Sequence, residues 1–301
     1  MSASKPAEAE APKPSLGAVL SQAGKKTFRG GVPGFCAMII QVAALMWMRT
    51  LVNYQYARGG SFGEAFSTLY GEGGIGRFYN GFWAAVIVGP LSRFGDTAAN
   101  AGILALCDGV LPVGVSTMLA SAGAAVWRIA TQPVQNVKTL MQVEGGGAGL
   151  KLMASRVNTA GVGALWEGAF GTMGATWLGH YPWFATNNML RSAVPPMGPD
   201  GSAAQLARDA GIGFCSSVVS DCVSNGIRVI TTAKQTSVVS TGYVAVMQSI
   251  IATDGVWGVL GRGLGTKIIS NGISAMLFSI LWKYFERKLE GRGKKAAAKQ
   301  D

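Results

Sequence analysis

Six stretches of the chain, near residues 30–52, 82–106, 110–135, 168–190, 209–232 and 264–285, are apolar and long enough to cross a bilayer, which takes about 20 residues each. In lipid every backbone polar group needs a partner within the protein, so spans of this length are read as helices. Each stretch is interrupted by glycine, proline or a charge. Six imperfect spans imply a bundle around a common interior rather than separate anchors. Only 14% of residues are Asp, Glu, Lys or Arg, against about 25% in soluble domains. The 43 glycines suit helices packed closely in lipid. A net charge of +11 would suggest nucleic acid in a soluble protein. Here the bases gather near the termini (Lys25, Lys26, Arg29, Arg287, Lys288, Arg292, Lys294 and Lys295) and near span ends. That pattern points instead to anionic lipid headgroups or passage of anionic solutes, and away from nucleic acid.

Two markers repeat at a period near 90. An x-Gly turn precedes each even-numbered span, in "FYNG" ending at Gly81, "LWEG" at Gly168 and "LGRG" at Gly263. A cation ends each odd-numbered span: Arg49, Lys138 and Arg228. A short amphipathic stretch lies upstream of each turn: "SFGEAFSTLYGEGG", "LKLMASRVNTAG" and "YVAVMQSIIATDG". The expected architecture is therefore an all-α membrane protein with six transmembrane helices. They form three tandem helix–surface helix–helix repeats, about 28–109, 110–200 and 201–290, in a pseudo-threefold bundle. Residues 1–27 read as a disordered tail and 291–301 as a basic tail; no secretory signal precedes the first span.

With these motifs the chain resembles the mitochondrial carrier family, over residues 28 to 290. The family's odd helices end in proline, any, acid, two of any, base, three of any, glutamine. "PVQNVKTLMQ" supplies Pro133, Gln135, Lys138 and Gln142. "EGGIGRFYNG" and "GVGALWEG" match the downstream half. The first unit has Ala44, Met46 and Arg49 at the proline, acid and base positions; the third has Val223 before Asn225 and Arg228. The base survives three times, the proline once and the acid never.

The resemblance implies a matrix-side gate in which acid and base pair between neighbouring odd helices. Here Arg49, Lys138 and Arg228 would converge without carboxylates, with Gln135 and Asn225 offering only neutral oxygen acceptors. Each like-charge pair a few ångströms apart costs about 1–4 kcal/mol. Either the gate closes poorly or another anion sits there: a substrate, a lipid phosphate or a partner's carboxylate. Pro133, Pro90 and Pro182 are expected helix kinks, because proline removes a backbone donor and clashes with the preceding turn.

Ionisable groups inside apolar spans are costly and tend to face a wet interior. Candidates are Arg93 and Asp96, three apart on one helix face, with Arg128, His180, Asp221 and Lys267. Arg93–Asp96 reads either as a structural pair or as a substrate clamp, and His180 more readily as a packed histidine than as a ligand. The resemblance adds the positions seven residues after each even-helix glycine: Val88, Ala175 (beside Gly174) and Ser270. Cys36, Cys107, Cys215 and Cys222 form no CxxC pair, and with one histidine no zinc site is expected; they read as apolar packing residues. No catalytic set, metal site or cofactor motif is present in the sequence.

Transport of a small anionic metabolite by alternating access is the expected function. The resemblance places it in the inner mitochondrial membrane, with a plastid envelope as the alternative organelle. Expected partners are the solute and the bilayer, including anionic lipid. The rival is a non-transporting carrier-like subunit or adaptor of a membrane complex, which the missing acids and prolines motivate.

Overall fold

The computed structural model describes residues 31–107, 111–199, 202–238, 241–274 and 276–277, together with residue 17. The expected tails lie outside the described residues. All regular structure among the described residues is helical. Long helices α1 (Gly31–Arg58), α3 (Phe82–Cys107), α4 (Val113–Glu144), α6 (Ala169–Ala193) and α7 (Ala203–Thr236) alternate with shorter α2 (Phe62–Arg77), α5 (Gly146–Ala160) and α8 (Tyr243–Gly261). A 3-10 turn, Val162–Trp166, follows α5, and a last helical stretch covers 264–274.

The local chemistry explains several boundaries. Ser61 caps α2 in a full capping box: its side chain accepts from the Glu64 N–H, and the Glu64 carboxylate accepts from the Ser61 N–H at 2.7 Å. Ser202 caps α7 by accepting from the Gln205 N–H. Pro90, Pro133 and Pro182 all stand inside helices. Two of the carbonyls such prolines disturb are caught by side chains. Trp166 Nε1 donates to Ile129 O, four residues before Pro133, at 2.9 Å. Ser220 Oγ donates to Gly179 O, three residues before Pro182, at 2.7 Å. A neighbour that re-satisfies the backbone lets proline sit within a buried helix.

Helices α1, α4 and α7 each pack against the other two. The three turn glycines all adopt positive φ, +83° at Gly81, +78° at Gly168 and +63° at Gly263. Each presses on the long helix of the following unit. A Cβ on Gly81 would lie 3.2 Å from Lys138 O in α4; on Gly168, 2.7 Å from Gln235 Cγ in α7; on Gly263, 3.0 Å from Tyr56 in α1. Only glycine combines that backbone conformation with so close an approach. The third contact returns to the first helix, so the succession closes on itself.

The short helices share one end of the bundle. Arg77 donates from Nη1 and Nη2 to the carbonyls of Gln142 and Val143 at the end of α4, at 2.7 and 2.6 Å. Arg156 donates likewise to Gln235 and Ser237 at the end of α7. Cations at a helix C-terminus satisfy its orphan carbonyls and oppose its dipole.

The bundle buries polar side chains beside its apolar clusters and exposes large apolar ones. Gln132, Asn136, Gln142, Ser216, Ser224 and Asn225 are at most 1% exposed, whereas Trp83, Ile87, Phe170, Met189 and Ile269 are more than half exposed. Cys215 and Cys222 are also exposed and Cys107 half-buried, so the last three cysteines do not pack in a core; the Cys36 side chain lies outside the described residues. The interior polarity lowers mean hydropathy. Among the described residues one stretch, Tyr243–Ser274, is long and apolar enough to cross a membrane by length and composition, at 1.4. That stretch is not one straight helix: Gly255 departs to φ +70°, and a turn breaks it at 262–263. The described parts of the expected spans are helical, the sixth only over 264–274 and 276–277, and their hydropathy does not single them out as six bilayer crossings.

Candidate functional site

The register between α1 and α4 is set by side chains near their ends. Asn53 Nδ2 donates to Gln142 Oε1 at 2.6 Å, and Gln142 Nε2 donates to Thr50 Oγ1 at 3.3 Å. One turn earlier on each helix stand Arg49 and Lys138. The register between α1 and α7 is set by Tyr56, whose phenol donates to Asn225 Oδ1 at 2.8 Å. Asn225 in turn donates to the carbonyls of Leu260 and Arg262, and Arg228 follows three residues on. Lys267 lies one turn past Gly263, which rests on Tyr56 and Val52.

These links bring four cations into one electrostatic neighbourhood. Lys138 feels Arg49, Lys267 and Arg128; Lys267 feels Arg228, Asp221 and Arg49. Arg49 is exposed, and Lys138, Arg228 and Lys267 are half-buried. Lys138 donates to Gln135 Oε1 at 2.9 Å on its own helix, and Arg228 Nε donates to Ser224 Oγ at 3.1 Å. Neither contact neutralises charge, and none of the ion pairs among the described residues involves Lys138, Arg228 or Lys267.

Two expected gate groups behave differently. Asn225 spends its amide on Tyr56 and two backbone carbonyls, not on a cation. Met46, at the position of a missing acid, is fully buried with Val42 and Ala85. It faces α3 rather than the cations.

Asp96 has a partner on another helix that the local Arg93–Asp96 spacing does not name. Its carboxylate accepts two hydrogen bonds from Arg128 Nη2, at 2.8 and 2.7 Å, joining α3 to α4. The Arg93 side chain lies outside the described residues. An inter-helix arginine pair was invisible to local spacing, because 32 residues separate the partners. Asp221 is buried and accepts from Asn271. His180 packs edge-on against Phe184 with ring centroids 6.3 Å apart, within reach of the charges on Asp96, Arg128 and Arg228. The positions taken from the resemblance are closed: Val88, Ala175 and Ser270 are buried, and Gly174 is half-buried. They present no accessible wall to a solute here.

Sequence reasoning missed the residues that hold this site in place. Tyr56, Arg77 and Arg156 carry no repeat register, since Arg77 is four residues before its turn glycine and Arg156 twelve before its own. Glu167 had a signal, being the residue just before Gly168. It bridges Lys234 at 3.0 Å and Arg156 at 3.5 Å. Comparison with known families gives no match, and comparison with curated proteins gives none.

Proposed function

We propose that the chain is a six-span, pseudo-threefold carrier that moves a small anionic metabolite across a membrane by alternating access, as a divergent mitochondrial carrier of the inner mitochondrial membrane. The observation that carries this reading is the grouping of Arg49, Lys138, Arg228 and Lys267 on mutually packed α1, α4 and α7 and the stretch after Gly263. Large apolar side chains exposed over the outside, with polar side chains buried among the helices, support a lipid-facing surface. The order long, short, long helix in the first two units, a long and a short helix followed by a further helical stretch in the third, and closure by Gly263 on Tyr56 support the repeat. Attraction to the cluster concentrates anions in the cavity.

The test is uptake by proteoliposomes, screened with nucleotides, carboxylates and amino acids. Saturable uptake of an anion that Lys138→Gln abolishes supports the carrier. A second reading, a non-transporting adaptor of a membrane complex, is favoured by the burial of Val88, Ala175 and Ser270. No uptake across the panel, with stable co-purification in a larger membrane assembly, selects it.

A further inference from the structure

The three seams where a short helix meets the end of the next long helix are not built alike. At the first, Arg77 of α2 is buried and donates to the carbonyls of Gln142 and Val143 in the last turn of α4, at 2.7 and 2.6 Å. Glu72 of the same helix accepts from its Nε at 2.7 Å and holds the guanidinium in place. At the second, Arg156 of α5 is buried and donates to the carbonyls of Gln235 and Ser237 at the end of α7. Glu167 adds a bridge to Lys234 of α7 at 3.0 Å. Charge-assisted bonds of this kind are stronger and more directional than neutral ones.

The third helix cannot build such a clamp, because α8 contains no lysine or arginine. Arg262, directly after α8, lies against Gly59 just past α1, where a Cβ would stand 3.0 Å from its Nε. Its Nε and Nη2 nevertheless turn back to Asp254 of α8, at 2.7 and 2.6 Å. What joins α8 to α1 and α7 is an apolar cluster, Val246, Ile250 and Val259 against Val52, Tyr56 and Val229. Apolar contact is non-directional. Beside the cluster lies a cavity of about 440 Å³, walled by Arg58 at the end of α1, by Ala233 and Thr236 of α7 and by Ser249 of α8.

We propose that the short-helix end of the bundle opens first at the seam between α8 and the end of α1, while the two arginine-clamped seams stay shut. Local opening begins where buried contacts are fewest, and the cavity marks that place. The last turn of α1 then moves against α8, whereas α4 stays fixed to α2 and α7 to α5. A threefold arrangement thereby opens on one side. This is a property of the folded bundle and does not depend on transport.

The experiment is hydrogen–deuterium exchange of the purified full-length chain in neutral detergent, read on peptides that cover the last turns of α1, α4 and α7. In the wild type the end of α1 exchanges about tenfold faster than the other two. Arg77→Gln brings the end of α4 up to the α1 rate and leaves α7 unchanged. Arg156→Gln does the same for α7 and leaves α4 unchanged. Ala233→Leu, which extends the apolar cluster into the cavity, slows the end of α1. Equal rates at the three ends of the wild type overturn the proposal without recourse to any variant, as does an α4 or α7 end that exchanges faster than α1. An unchanged α4 end in Arg77→Gln overturns it too. One-sided exchange in a protein that takes up no solute supports the seam and counts against the carrier reading alone; uptake with three equal ends counts against the seam alone.

Discussion

The phenol of Tyr56 donates to Asn225 at 2.8 Å across 169 residues of sequence, and this single bond ties the first long helix to α7. Both residues are buried. Asn225 also donates to Leu260 O and Arg262 O, so one amide organises α1, α7 and the turn after α8. Arg49, Arg228 and Lys267 inherit their nearness from that knot.

Tyr56→Phe deletes one donor and leaves the ring packed. It is expected to cost about 1 kcal/mol. Asn225→Leu removes the acceptor and strands two carbonyls and a phenol, and is expected to cost about 3 kcal/mol or more. Thermal melts of the two variants should differ in that order; equal losses would mean the amide does not join three elements.

Gly263→Ala is expected to destabilise by about 1–3 kcal/mol. Its φ of +63° disfavours any Cβ, and the added methyl meets Tyr56 at 3.0 Å and Val52 O at 3.3 Å. Gly261→Ala, which meets nothing within 4 Å, is the control and should melt close to wild type. Parallel losses in both would remove the special role of the turn.

A double-mutant cycle on Asp96→Ala and Arg128→Ala should give a coupling of about 1–2 kcal/mol. One Arg128 nitrogen meets both carboxylate oxygens, but the side chains of Asp96 and Arg128 are 32% and 13% exposed, so water screens part of the attraction. Additive losses would show that the two helices are held by packing alone.

The capping box makes a pH prediction. The hydrogen bond from the Ser61 N–H holds the Glu64 carboxyl below its ordinary value, helped by the Ser61 side chain. A depressed folded-state value gives stability that is present above the unfolded carboxylate value, about 4.3, and lost as pH falls through the lower folded value. Amide exchange in the first turn of α2 should therefore accelerate on acidification through that window. Glu64→Gln should flatten the dependence, and an unchanged profile would contradict the cap. Ser61→Ala should cost about 1 kcal/mol at neutral pH.

The helices were legible where apolar runs meet turn glycines. The expected spans near 30–52 and 82–106 became Gly31–Arg58 and Phe82–Cys107, and the amphipathic stretches became α2, α5 and α8. Helix ends were less legible. The span expected to stop near 135 runs to Glu144, and the polar residues Asn136 and Gln142 past its apolar run are buried at helix contacts. Asp96 was flagged as chemically important, but its partner Arg128 lies on another helix. Local spacing reports neighbours on one face only, so cross-helix pairs such as Tyr56–Asn225 and Asp96–Arg128 need the three-dimensional register.

The most direct measurement is of the distances among Arg49, Lys138 and Arg228. Each pair of positions is changed to cysteine in a chain whose four native cysteines are replaced, spin-labelled, and measured by electron paramagnetic resonance in lipid. Neighbouring packed helices lie about 8–10 Å apart, so all three label pairs should give short and similar distances. One short and two long distances, or labels reporting opposite faces of the bilayer, would contradict the shared cation cluster on which the account rests.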